Sequence, residues 1–294
     1  MTLRVLHCIY DDPSNPWVAG GGAVRVRELY RRLRDEVEAT VASGNFPGAR
    51  DDVIDGVRYR RLGAPRPYAW SRLTYGRAVT RLLAAGDYDV AVFDFSVYTP
   101  LRLPRRAHVG ATVHHLTTPT ARERWGGVAG GAIARRELAM LRQTRWFTAT
   151  SGATLRLLRE LLGDGPEIRL IEAGVPDDLW ELPRAEGDHL LYFGRLDWFQ
   201  KGLDVLLDAF AILARERPTL RLTMAGRGKD ADRVRQRLAE LGLANRVELL
   251  GPVSAERQRE LFASARVMMM PSRFEGFGMV AAAGRVHHLR ERPG

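Results

Sequence analysis

Gly194, Arg195 and Lys201 lie within eight residues, between an apolar strand-like run and an apolar helix-like run. An arginine offers a planar fork of donors, and a lysine adds a mobile positive charge. The N-terminus of the helix that follows supplies backbone amides that favour an anion. Together they could hold both phosphates of a nucleotide sugar, or steady the charge on a departing diphosphate; a solvated basic loop is the alternative. Gly20, Gly21 and Gly22 follow the first strand-like run, where glycine lets amides approach an anion, or simply makes a turn. The segment lacks the glycine-lysine-serine/threonine ending of a P-loop. His114 and His115 close another strand. His114 could bond a sugar hydroxyl or phosphate oxygen, or pack at a strand end, and no third ligand makes the pair a metal site. Glu275, set in Phe274-Glu275-Gly276-Phe277-Gly278, could orient sugar hydroxyls or face positive charge at a transferred carbon. An exposed acidic loop residue is its plainer reading.

These residues need strands to carry them and helices to cover the strands. Strand patterns occur at Leu3–Tyr10, Glu38–Ser43, Val57–Leu62, Val90–Phe93, Val109–His114, Trp146–Thr150 and Ile168–Ile171. Helical spacing marks Ala23–Leu33, Arg72–Ala85, Ile133–Leu141 and Ala153–Leu162. After the polar, glycine- and proline-containing stretch 172–188, strands are predicted at His189–Phe193, Leu220–Ala225, Arg246–Leu250 and Arg266–Met270. Helices are predicted between them near Leu203–Arg215, Asp230–Leu241 and Ala255–Ala263. Repeated strand–helix alternation is the pattern of an α/β protein with mainly parallel sheets. The division read from it is an acceptor-side domain over 1–171, a linker over 172–188 and a second domain over 189–294.

Composition narrows the functional classes. A charged fraction of 27% with regular apolar segments argues against disorder. The single cysteine, Cys8, rules out a disulfide framework and a cysteine-rich zinc site. No long apolar run opens the chain, so neither a signal peptide nor a membrane span is read, and the expected compartment is the cytoplasm. The formal net charge of +10 needs no dedicated partner, and it also suits phosphorylated ligands or peripheral contact with the anionic inner face of a membrane. The arginines are dispersed and no nucleic-acid-binding module is recognised, so no nucleic-acid partner is expected.

The order of motifs resembles the retaining glycosyltransferase family 4, whose members have the GT-B architecture of two Rossmann-like domains facing across a cleft. The resemblance rests on GGG at Gly20–Gly22, TVHH at Thr112–His115 and FGRLDWFQKG at Phe193–Gly202. It continues through MAGRG at Met224–Gly228, LLGPVS at Leu249–Ser254 and PSRFEGFGMVAA at Pro271–Ala282. It implies transfer of a sugar from a nucleoside-diphosphate sugar to a glycan, lipid or small-molecule acceptor with retained configuration. By the same resemblance Arg195 and Lys201 grip the diphosphate, and Gly21 or Gly22 lies near the phosphate or the acceptor. His114 contacts the transferred sugar and Glu275 positions it. The resemblance implies no cofactor and no essential divalent metal, and because the leaving diphosphate helps to activate the acceptor it implies no dedicated protein base. Two features depart from the family. Ala283 stands where a second glutamate usually binds ribose, and no strand–helix pattern is read beyond it. The second domain is therefore read as incomplete, and a noncatalytic nucleotide-sugar-binding or interaction protein derived from a glycosyltransferase is the alternative function. Oligomeric state, donor base and acceptor are not specified by these motifs.

Overall fold

In the computed structural model, which describes residues 2–18, 20–97, 99–104, 108–174, 187 and 189–283, the opening strand β1 (Leu3–Cys8) is covered on both faces. Alternation sends Leu6 and Cys8 to one face, with Tyr10 just beyond, where they meet Tyr75, Val79 and Leu83. It sends Val5 and Ile9 to the other, against Val26 and Tyr30. His7 shares that second face and is 1% exposed. A strand apolar on both sides belongs in the middle of a parallel sheet.

Around β1 the chain adds α1 (Gly21–Arg32), β2 (Val37–Gly44), β3 (Asp52–Ile54), β4 (Val57–Leu62), α2 (Tyr68–Ala85), β5 (Val90–Asp94) and β6 (Val109–Val113). A short 3-10 turn (Thr118–Thr120) leads to α3 (Ala121–Trp125), α4 (Gly127–Leu141), β7 (Trp146–Ala149), α5 (Gly152–Leu162) and β8 (Glu167–Leu170). The described residues form an eight-stranded sheet, β3-β4-β2-β1-β5-β6-β7-β8, parallel except where β3 pairs antiparallel with β4. The order reverses beside β1: the chain runs outward to β2 and later returns to β5 on the other side. Such a reversal opens a crevice at the carboxyl ends of the two strands.

The chain divides into two compact units, the first ending at Ala173 and the second beginning at Gly174. In the second, β9 (Leu190–Phe193), α6 (Leu203–Glu216), β10 (Leu222–Ala225), α7 (Ala231–Glu240), β11 (Val247–Gly251), α8 (Ala255–Ser264) and β12 (Val267–Met268) follow in order. The described strands form a parallel sheet, β11-β10-β9-β12. Leu190 and Tyr192 pack on Leu203, Leu206, Leu207 and Phe210 of α6 and on Val234 and Leu238 of α7. Leu191 points the other way, onto Leu261, Phe262 and Ala283. The reversal here lies between β9 and β12, so the loops after these two strands share a crevice.

Several predicted bounds move. Helix α2 starts at Tyr68 rather than Arg72, directly after Pro67, a residue compatible with a helix start. Helix α4 starts at Gly127 rather than Ile133, its first turns hidden by four glycines in residues 126–131 whose propensity is poor but which pack against α3. Strand β3 was not expected; Asp55-Gly56, both with positive φ, closes its hairpin with β4. Most of the expected linker, 175–186 and 188, lies outside the described residues, as does 284–294.

Candidate functional site

The second unit carries its candidate site residues on two loops, one after β9 and one after β12. Strand β9 delivers Gly194 and Arg195, whose carbonyl accepts a 2.7 Å bond from the Tyr192 hydroxyl. Burial pushes the Tyr192 phenol up, Glu275 pushes it further and Arg195 opposes them, so both charges act on one buried group. The Arg195 guanidinium donates to Gln200 Oε1 at 2.8 Å, and the Gln200 amide donates to Asp197 Oδ1 at 2.9 Å. This folds the loop back on itself and delivers Lys201 at the start of α6. The Lys201 ammonium pairs with the Glu275 carboxylate, which also accepts from Ser272 Oγ at 2.7 Å. Arg273 fastens one loop to the other: its amide donates to the Gln200 carbonyl at 2.9 Å and its guanidinium grips Asp204 at 2.8 and 2.7 Å. That guanidinium holds the Asp204 carboxyl below the usual carboxylate range.

Two glycines make the close packing of these loops feasible. A Cβ at Gly202, where φ is +61°, would fall 2.1 Å from the Pro271 carbonyl oxygen. A Cβ at Gly226, where φ is +141°, would fall 1.9 Å from the Gly194 carbonyl oxygen. Only glycine has both the conformation and the clearance. The loops after β9, β10 and β12 are thus brought into backbone contact.

The first unit gathers its candidate residues at the carboxyl ends of β1, β5 and β6. Asp94 ends β5. One carboxylate oxygen lies 3.0 Å from His7 Nε2 on β1, and the other lies 2.7 Å from His114 Nε2, just after β6. His7 Nδ1 in turn lies 2.9 Å from the Tyr30 hydroxyl on α1. Burial alone would raise Asp94, but the charge of His114 and hydrogen bonds from both histidines outweigh it and hold the carboxyl well below its usual range. Burial would lower His114; the facing Asp94 outweighs it and raises the imidazole. Gly22, in the first turn of α1, borders this pair: a Cβ there would stand 3.6 Å from Asp94 Oδ2 and 3.8 Å from His114 Nε2. Glu137 on α4 fixes the chain beyond the histidines, accepting from the Thr117 and Thr118 amides at 2.8 and 2.6 Å.

The structure therefore brings Gly22 to His114, with Gly21 opening the same helix, and brings Lys201 to Glu275, with Arg195 on the lysine's own loop. The residues that sequence reasoning missed are Asp94, His7 and Tyr30 in the first unit and Gln200, Ser272 and Arg273 in the second. One signal was available for Asp94: a carboxylate ends the otherwise apolar run Val90-Ala91-Val92-Phe93. The others depend on partners far along the chain.

A model of "Glycosyltransferase Family 4" matches residues 19–179, and one of "Glycosyl transferases group 1" matches residues 187–284. The chain belongs to glycosyltransferase family 4 and has the GT-B fold. Among its relatives is the phosphatidyl-myo-inositol mannosyltransferase of Mycolicibacterium smegmatis, 29% identical over 282 residues that cover 90% of this chain and 69% of that protein. Other curated relatives match over shorter stretches, which span 23% and 42% of their length. Solved structures share the fold. Sucrose-phosphate synthase from Thermosynechococcus elongatus superposes with a TM-score of 0.76 at 22% identity, covering 96% of this chain and 78% of that one. Anabaena HepE, solved in complex with UDP and glucose, superposes with a TM-score of 0.68 at 19% identity, covering 97% and 78%.

Proposed function

We propose that this family member is a retaining glycosyltransferase that moves a sugar from a nucleoside-diphosphate sugar to a glycan, lipid or small-molecule acceptor. The observation that carries the reading is the Lys201–Glu275 pair, which joins the loops after β9 and β12 at the reversal point of a parallel sheet. Lys201 and Arg195 bind the diphosphate and meet the charge that grows on it as the glycosidic bond breaks. Glu275 orients the donor sugar and His114 contacts it, while Gly21 and Gly22 let the chain approach the phosphate or the acceptor. The cations supply the charge that a metal would otherwise provide, so the reading requires no essential divalent ion. The complex of Anabaena HepE with UDP and glucose supports a nucleotide sugar as the ligand class.

A mass-resolved transfer assay tests it, using a panel of UDP-, GDP- and ADP-sugars with mixed glycan, lipid and metabolite acceptors. The expected outcome is a glycosylated product that disappears in Lys201→Ala and Glu275→Gln. One observation favours the noncatalytic alternative. Ala283 is 3% exposed among Leu191, Ala225, Leu261 and Phe262, and its methyl offers a ribose no acceptor. Nucleotide-sugar binding without product across the panel would establish that alternative instead.

Peripheral contact with an anionic membrane belongs to the same proposal. No described helix is long and apolar enough to cross a membrane. The start of α2 exposes Tyr68, Trp70 and Leu73, and Arg66, Arg77 and Arg81 are exposed along a stretch, residues 63–86, that contains no acidic residue. Exposed aromatic rings beside cations suit the headgroup region. The chain is expected to sediment with vesicles containing phosphatidylglycerol and not with neutral ones, and Trp70→Ala with Arg77→Ala to weaken it severalfold. Equal recovery with neutral vesicles would count against the contact.

A further inference from the structure

Of the buried chain Tyr30–His7–Asp94–His114 only His114 has a role above, and the carboxylate shared by the two histidines constrains which ring nitrogens donate. Asp94 has two carboxylate oxygens, and a ring nitrogen faces each, at 3.0 and 2.7 Å. An ionised carboxylate only accepts, so both histidines donate to it through Nε2. His7 is 1% exposed, and a neutral ring satisfies its place: Nε2–H donates to Asp94 while Nδ1 accepts from the Tyr30 hydroxyl. His114 differs, because its side chain is 28% exposed and no described residue takes its Nδ1. Its backbone is also anchored, the carbonyl accepting from Thr154 Oγ1 on α5 at 3.2 Å.

We propose that Asp94 is a positioning residue. It fixes the His114 ring through Nε2 and holds it as an imidazolium, so that Nδ1–H is offered to an oxygen of the bound ligand. His7 and Tyr30 occupy the second carboxylate oxygen and keep the carboxylate ionised and oriented. The identity of the ligand as a nucleotide sugar rests on the functional reading above; the charge state of His114 does not. The charged groups around the ring agree in part. Asp94 from β5 and Asp11 from the β1–α1 loop favour the imidazolium, and Arg25 from α1 opposes it. Asp94 makes the direct contact. A donor at Nδ1 takes any ligand oxygen, an ionised phosphate included, and rejects an N–H, whereas a neutral ring would accept from an O–H or N–H and reject an oxygen without a proton.

The test is titration of the histidine Cε1–H resonances by NMR in the full chain. In the unaltered protein His114 is expected to titrate above the ordinary value of about 6.5. Asp94→Asn, which keeps the volume and removes the charge, is expected to lower that midpoint by about 1 pH unit or more. Tyr30→Phe leaves the carboxylate in place and should move it far less. A His114 midpoint at or below the ordinary value in the unaltered protein would overturn the proposal without any variant. So would an equal effect of the two substitutions. UDP-glucose and GDP-mannose serve as ligand probes: a shift of the His114 Nδ1 resonance with either one is expected, and its absence with both would overturn the ligand-facing half. The titration needs no turnover, so a chain that transferred no sugar would defeat the functional reading and leave the His114 result standing.

Discussion

Lys201 carries three N–H donors and Glu275 engages its ammonium, so donors remain for a phosphate oxygen. On the proposed function, the same contact keeps Glu275 beside the junction of the donor sugar and its diphosphate. Removing the cation should therefore hurt the reaction step more than folding. Lys201→Ala is expected to lower kcat/KM about 10²- to 10³-fold, the scale of losing one preorganised charge-stabilising donor. Steady-state kinetics on whichever nucleotide sugar the panel identifies would check it, with a circular dichroism melt confirming that the variant is folded. The Asp94–His114 pair makes a prediction about stability. His114 is raised in the folded chain, so its share of stability is complete below about pH 6.5 and is lost as pH rises through the folded value. Asp94 is lowered, so its share is present above about pH 3.9 and is lost as pH falls through its folded value. Urea unfolding at several pH values should show both slopes, and His114→Gln should flatten the alkaline one.

At the scale of elements, the candidate site residues sit on loops that buried side chains and glycines hold in place. Glu137 is 1% exposed and accepts two amides and a hydroxyl from the turn after His115. Glu137→Ala would orphan these donors and should destabilise the first unit by about 3 kcal/mol, read from the urea midpoint. Gly226→Ala should be comparably harmful in the second unit, because its Cβ would meet backbone rather than a movable side chain. How much of this could be read from the sequence follows from range. Strands β1, β5 and β9 announce themselves in their apolar runs, and α6 shows its Leu203, Leu206, Leu207 and Phe210 stripe, because these signals are local. Strand β3 escaped notice because three residues are too few for a period, although Asp55-Gly56 was a usable hairpin signal. Arg195, Lys201 and Glu275 were found as motif residues. Gln200, Ser272, His7 and Tyr30 were not, because each acquires meaning only from its partner. His7 and Asp94 stand 87 positions apart.

At the scale of the molecule, each unit has cores of its own on both faces of its sheet. A fragment of residues 1–173 is therefore expected to fold alone. It should unfold cooperatively in urea and retain the elevated His114 titration, since every group that sets the titration lies within it. A fragment without a cooperative transition would show that the first unit depends on the second.

The three-residue strand β3 bears on solubility. An outer strand of a long parallel sheet presents a row of unpaired backbone groups, an invitation to the same strand of another molecule. Here the place beside β4 is filled by only three residues, preceded by Asp51 and closed by Asp55, which is tied to Arg27 of α1. Two further copies meeting at this border would bring acidic side chains face to face. Deleting residues 51–56, or replacing Asp51 and Asp52 by valine, should turn a dispersed protein into one that self-associates, with light scattering rising at concentrations where the parent stays clear.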